Sequence, residues 1–106
     1  MNSESLVRLA NQYGSPLYVY NTDKIISQYK RITNAFSKVK SVKINYAVKA
    51  LSNVNILKVF NQLGSGLDTV SYQEVQLGLA AGCKPEDIYK KFPLAIANLA
   101  YSIELM

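Results

Sequence analysis

The sequence predicts an α/β fold: a parallel sheet covered by helices. Three observations point to it. From Lys43 the pattern runs strand, helix, strand, helix, giving two βα units of about 22 residues each. Glycines stand where each of these helices should stop, Gly64 after the first and Gly82 after the second. A helix stands between each expected strand and the next, which argues for parallel neighbours joined by helical crossovers.

The elements follow in order. Leu6, Leu9, Ala10 and Tyr13 recur at helical spacing, and Gly14 is placed to end that helix. Pro16-Leu-Tyr-Val-Tyr20 alternates with period two and reads as a strand, its proline at the first position where a missing donor is tolerated. Thr22 and Asp23 are capping candidates for the next helix, whose apolar stripe is Ile25, Ile26, Tyr29, Ile32 and Phe36. Residues 43–48 form the next expected strand. Ser52 or Asn53 should cap the helix after it, which buries Ile56, Leu57, Phe60 and Leu63. Gly64-Ser-Gly-Leu-Asp-Thr-Val-Ser71 reads as a loop and short strand, followed by a helix over about 72–81. After Pro85-Glu-Asp-Ile88 the regularity fades: a third strand is due, but Tyr89-Lys-Lys-Phe-Pro93 inserts two charges and a proline. Residues 94–105 read as a weakly patterned apolar helix. The expected organisation is therefore a single partial domain, with residues 1–40 as an N-terminal helix, strand and helix, 41–88 as the two βα units, and 89–106 as a divergent tail.

Composition narrows the function. A chain of 106 residues with 49% apolar side chains can pack one modest core. No apolar run approaches the ~18 residues of a membrane helix, and the opening Met-Asn-Ser-Glu-Ser lacks the features of a signal peptide; the expected location is the cytoplasm, with no membrane partner. A lone Cys83 beside Ala81 and Gly82 reads as a buried bystander, and with no histidine no metal site is expected. The net charge of +5 is spread out; its densest group, Lys30, Arg31, Lys38, Lys40 and Lys43, reads as a solvated face rather than a nucleic-acid footprint.

Lys49 is the residue with most chemical promise. It closes the run Lys43-Ile-Asn-Tyr-Ala-Val-Lys-Ala50, so it stands at the C-terminal rim of the sheet, where α/β proteins place their chemistry. Strand alternation groups Ile44, Tyr46 and Val48 on one face and Asn45, Ala47 and Lys49 on the other. In a barrel the smaller set would point inward, carrying Lys49 with it. The alternatives are a surface lysine and an amine desolvated enough to react with an aldehyde. Asp68 lies in the neighbouring strand, where a buried carboxylate needs a partner, and an ion pair with Lys49 would provide one. Ser71 and Glu74 fit a capping box. Gly64-Ser-Gly66 follows a helix and precedes a strand, the reverse of a phosphate-binding loop, and reads as a turn.

Together these segments resemble the N-terminal part of the diaminopimelate decarboxylases, pyridoxal-phosphate enzymes with an alanine-racemase-like barrel. The resemblance rests on Tyr13-Gly-Ser-Pro-Leu-Tyr-Val-Tyr20, Tyr46-Ala-Val-Lys-Ala50, Asn53-Val-Asn-Ile-Leu57, Gly64-Ser-Gly-Leu-Asp-Thr-Val-Ser-Tyr-Gln-Glu74, Gly78-Leu-Ala-Ala-Gly82 and Pro85-Glu-Asp-Ile88, in that order over about residues 10–88. It implies an incomplete (β/α)8 TIM-type barrel fragment with two βα units, preceded by a short helix and strand. An eight-stranded barrel takes about 250 residues. It also implies that Lys49 holds pyridoxal 5'-phosphate as a Schiff base, that Asp68 lies close to it, and that the substrate is a small amino acid, meso-diaminopimelate, decarboxylated to L-lysine. Ornithine and arginine decarboxylases share the Tyr-Ala-Val-Lys signature and are the nearest rivals. A non-catalytic remnant that binds the cofactor or a homologue is the alternative of a different class. The family is usually homodimeric, and its phosphate loop, stacking histidine and substrate arginine lie further along than this chain reaches. By itself the chain is expected to be inactive.

Overall fold

A computed structural model describes residues 1–90. The expected helix over residues 94–105 lies outside them. Among the described residues, four α-helices, α1 (Ser3–Tyr13), α2 (Thr22–Ala35), α3 (Val54–Gln62) and α4 (Tyr72–Ala80), accompany three strands, β1 (Asn45–Ala47), β2 (Gly66–Thr69) and β3 (Ile88–Lys90). The strands form one parallel sheet in the order β1-β2-β3. Each strand pairs with the next in sequence and the order never reverses, which is the progression of a barrel wall rather than of a doubly wound sheet.

Both helix crossovers are built as their sequences dictate. Asn53 caps α3, its side chain accepting from the amides of Asn55 (2.9 Å) and Ile56 (3.4 Å). Gly64 then takes a positive φ of 80°, a backbone shape that suits glycine, and turns the chain into β2. Ser71 caps α4, accepting from the Glu74 amide at 3.2 Å, and Gly82 closes that unit at φ 86°. Leu57 of α3 and Val75 of α4 meet Val48, Leu67 and Ile88 in a core completed by Ala81 and Cys83. α4 lies close to the sheet because position 78 has no side chain: a Cβ there would come within 2.7 Å of Leu67 Cδ1 and 3.1 Å of Ile88 Cδ1. Leu67 and Ile88 therefore face the helices, and alternation turns Asp68 to the opposite face.

Several expectations are corrected. Pro16–Tyr20 is not a strand: an alternating pattern needs a backbone partner to become one, and among the described residues none runs beside it, leaving Tyr18 87% exposed. The cap of α2 is Asn21, which accepts from the Lys24 amide at 3.1 Å, and not Thr22 or Asp23, which lie inside the first turn. The strand expected over 43–48 is confined to Asn45–Ala47, because Val48 turns its fully buried side chain into the core and the backbone tightens into a 3-10 turn over Val48–Ala50. The third strand does form. Ile88 fills the space over Gly78 while its backbone pairs with Leu67, so the sheet continues past residue 88 despite the charges that follow.

Candidate active site

In a parallel sheet all strands end at the same rim, so the turn after β1 and the link from β2 to α4 lie together at one end of the molecule. Lys49 occupies the middle of the turn after β1, with its side chain exposed. The alternation argument that aimed it inward stops at Ala47, since Lys49 belongs to the 3-10 turn; the turn, not the strand, sets its direction. Asp68 is half-buried in β2 and paired in register with Ala47 on one side and Tyr89 on the other. The strands thus bring Asp68 to within two residues of the position from which Lys49 departs.

The ion pair expected between Lys49 and Asp68 is not the one formed among the described residues. Lys43 instead meets Asp87 at the opposite end of the sheet. Both of these side chains are substantially solvated, at 51% and 34% exposure, so the pair contributes at most about 1 kcal/mol. The other basic residues of that group, Lys30, Arg31, Lys38 and Lys40, are exposed.

Ser71 and Glu74 serve the start of α4, with one difference from the expected box. The Glu74 carboxylate reaches past the cap and accepts from the Val70 amide at 2.7 Å. This satisfies a backbone donor in the link that follows β2 and explains how a carboxylate with 8% exposure is tolerated. Thr69, fully buried, donates to the Tyr89 carbonyl at 3.0 Å and ties β2 to β3 beside Asp68. Gly64-Ser65-Gly66 is the turn anticipated, and it lies at the N-terminal end of β2, away from Lys49. Its serine hydroxyl reaches the carbonyls of Ile44 (3.1 Å) and Gly66 (2.8 Å) instead of facing an anion site.

Two side chains at the rim have roles the sequence reading missed, Tyr46 and Ser52, the latter a cap candidate that does not cap α3. Tyr46 donates its hydroxyl to the Leu51 carbonyl, and Ser52 donates to the Val48 carbonyl, so both engage the Lys49 turn. Periodicity assigned Tyr46 only to a face of the strand. Burial pushes its phenol above the usual 10.0, opposed by the bond to Leu51 and reinforced by Tyr20. Burial likewise raises the Cys83 thiol, with Asp87 adding to the effect, which fits a structural cysteine. An apolar groove of about 560 Å³ between α2 and β1, lined among others by Ile25, Tyr29, Tyr46 and Phe60, does not include Lys49 or Asp68.

Comparison with known proteins decides the family. Residues 22–95 match the pyridoxal-dependent decarboxylase, pyridoxal binding domain. The chain belongs to that family. It is 42% identical over 96 residues to diaminopimelate decarboxylase of Helicobacter pylori, covering 91% of this chain and 23% of that protein. The Methanothermobacter thermautotrophicus enzyme of the same name is 39% identical over 83 residues, 77% of this chain and 19% of its own length. Among solved structures, diaminopimelate decarboxylase from M. jannaschii superimposes with a TM-score of 0.76 at 30% identity, over 80% of this chain and 21% of that one. The Helicobacter pylori enzyme complexed with L-lysine gives 0.72 at 40% identity, over 84% and 22%. The chain thus spans about a fifth of the relatives it matches, and its sheet corresponds to part of a barrel. The cofactor of the family is pyridoxal phosphate, and the residues here fit the part of it they would meet: an exposed primary amine at the strand rim is what an aldehyde requires. No helix among the described residues is long and apolar enough to cross a membrane.

Proposed function

We propose that this chain supplies the cofactor-holding segment of a pyridoxal-phosphate-dependent decarboxylase acting on meso-diaminopimelate, with Lys49 as the covalent attachment point and Asp68 as the carboxylate beside it. The observation that carries the proposal is the placement of Lys49: an exposed amine on a short turn at the C-terminal end of β1, within a segment that matches a pyridoxal-binding domain. When bound, pyridoxal phosphate supplies the electron sink for the pair left behind by a departing carboxylate. The contributions of the protein are more local. The Lys49 amine would hold the aldehyde carbon, and when free it could deliver the proton that replaces the departed carboxylate on the α-carbon. Asp68, on the face of the sheet turned away from the helices and in register with Ala47, places its carboxylate near the rim from which Lys49 departs.

Diaminopimelate is preferred to ornithine on identity rather than on shape. The ornithine decarboxylase of Entamoeba histolytica superimposes almost as well, at a TM-score of 0.71, but is only 26% identical. The backbone alone therefore does not choose between the two substrates.

Attachment is tested by treating the chain with pyridoxal phosphate, reducing with borohydride and mapping the labelled peptide. Label concentrated on Lys49 is expected; label spread evenly over Lys30, Lys38, Lys43 and Lys58 would reject the assignment. The reaction is tested in a chimera in which this chain replaces the matching segment of the Helicobacter pylori enzyme. Carbon dioxide release from meso-diaminopimelate that disappears with Lys49→Ala is the expected result. A chimera that folds and binds pyridoxal phosphate yet releases carbon dioxide equally well with Lys49→Ala would overturn the role of Lys49.

A further inference from the structure

We propose that Tyr46 and Ser52 form a clip that fixes the turn carrying Lys49, making both of them positioning residues for its amine. The inference rests on Lys49 as the attachment point. Lys49 is exposed, and the rotamer freedom of a lysine stem amounts to about 2 kcal/mol. Such a side chain is directed chiefly by the backbone from which it springs, so the rigidity of residues 48–51 decides how often the amine is correctly placed.

The turn is closed by a bond from the Leu51 amide to the Val48 carbonyl at 3.1 Å. Two hydroxyls brace it from opposite sides. Tyr46, which precedes the turn, donates to the carbonyl of Leu51 at 3.4 Å; Ser52, which follows it, donates to the carbonyl of Val48 at 3.3 Å. Each bond is long for a hydroxyl donor and weak alone. Because they cross the same four residues in opposite directions, opening the turn stretches both at once.

The anchors of the clip are themselves held. The Tyr46 ring stacks on Phe60 of α3, with centroids 4.0 Å apart and planes 14° from parallel, and Phe60 is met edge-on by Tyr29 of α2 at 6.2 Å. The hydroxyl is thus delivered by a ring fixed between sheet and helices. Val48, fully buried in the core, prevents the other end of the turn from lifting.

The test uses the full chain and two measurements. Tyr46→Phe keeps the ring stack and removes the hydroxyl; Ser52→Ala removes the other brace, and Ser52→Thr restores it. Hydrogen exchange of the Leu51 amide needs no cofactor, and reductive labelling of Lys49 with pyridoxal phosphate reports the amine. Losing one such bond should speed Leu51 exchange by about two- to tenfold, with the core amides of Leu57 and Val75 unchanged, and should reduce labelling at Lys49 by a similar factor; Ser52→Thr should restore both. Unchanged Leu51 exchange, or an equal acceleration at Leu57 and Val75, overturns the clip. Faster Leu51 exchange with undiminished labelling of Lys49 overturns the positioning role. If the unaltered chain shows no preference for Lys49, the attachment assignment fails, and the positioning role with it, while Leu51 exchange still decides whether the hydroxyls brace the turn.

Discussion

Replacing Gly66 with alanine tests the structural basis of the site, because this glycine sits at the start of the central strand, two residues before Asp68. A Cβ there would lie 2.1 Å from Asn45 Oδ1, 2.9 Å from the Asp87 carbonyl oxygen and 3.0 Å from Lys43 Cε. Two of these contacts are movable side chains, but the third is backbone at the entry to β3. Overpacking of this kind costs about 1–3 kcal/mol. Removing a glycine from a strand returns about 0.5–1 kcal/mol of chain entropy. The balance is a loss of about 0.5–2 kcal/mol, or a drop in thermal midpoint of roughly 2–16 °C for a domain of this size. Gly64→Ala provides the contrast: nothing lies within 4 Å of its added Cβ, and its cost comes only from the φ of 80°. The assay is urea and thermal unfolding followed by far-UV circular dichroism. Adding Asn45→Ala should recover part of the loss in the Gly66 variant and none in the Gly64 variant. A Gly66→Ala protein as stable as the original, or one indifferent to Asn45, would refute the argument that β1 and β2 meet closely through this position.

Other outcomes follow from the same geometry. Ser71→Ala removes the cap of α4 and should lower stability by about 0.5–2 kcal/mol, measured by urea unfolding, whereas Asp68→Asn should chiefly reduce turnover in the chimera; the opposite pattern would remove Asp68 from the site. Lys43→Met breaks an exposed ion pair and should change stability by less than about 1 kcal/mol, with the difference shrinking further in high salt. Because burial raises the Cys83 thiol and the Tyr46 phenol above their ordinary 9.0 and 10.0, both groups favour their neutral forms in the fold. Their stabilising contribution is complete below those values and is lost as pH rises through the folded-state values. Unfolding midpoints should therefore fall at alkaline pH above about 9, less steeply in Cys83→Ala.

The βα repeat was legible because its signals are local. Asn53, Gly64, Ser71 and Gly82 each mark a helix end by backbone chemistry that needs no tertiary partner. Pro16–Tyr20 shows the limit: its alternation was real, but a strand requires a neighbour, and pairing is not written in a single segment. β3 shows the converse, since three residues of unpromising sequence become a strand once β2 offers a free edge and Gly78 leaves a space for Ile88.

The sequence named candidate residues but not the geometry around Lys49, for a physical reason centred on Val48. Strand alternation treats 43–49 as one extended segment and so orients Lys49 by parity. The core claims Val48 instead, which ends β1 at Ala47 and lifts Lys49 onto a turn. The strand anchors the approach, the buried valine fixes the base of the turn, and the Lys49 side chain is left exposed. Val48→Ala should consequently affect both functions of that residue. Removing its methyl groups leaves a cavity against Leu57 and Leu67, costing on the order of 1–3 kcal/mol, and loosens the base of the turn. Labelling of Lys49 should then fall even under conditions where circular dichroism shows the chain still folded. Full labelling in such a folded variant would mean that the turn holds its shape without the core beneath it.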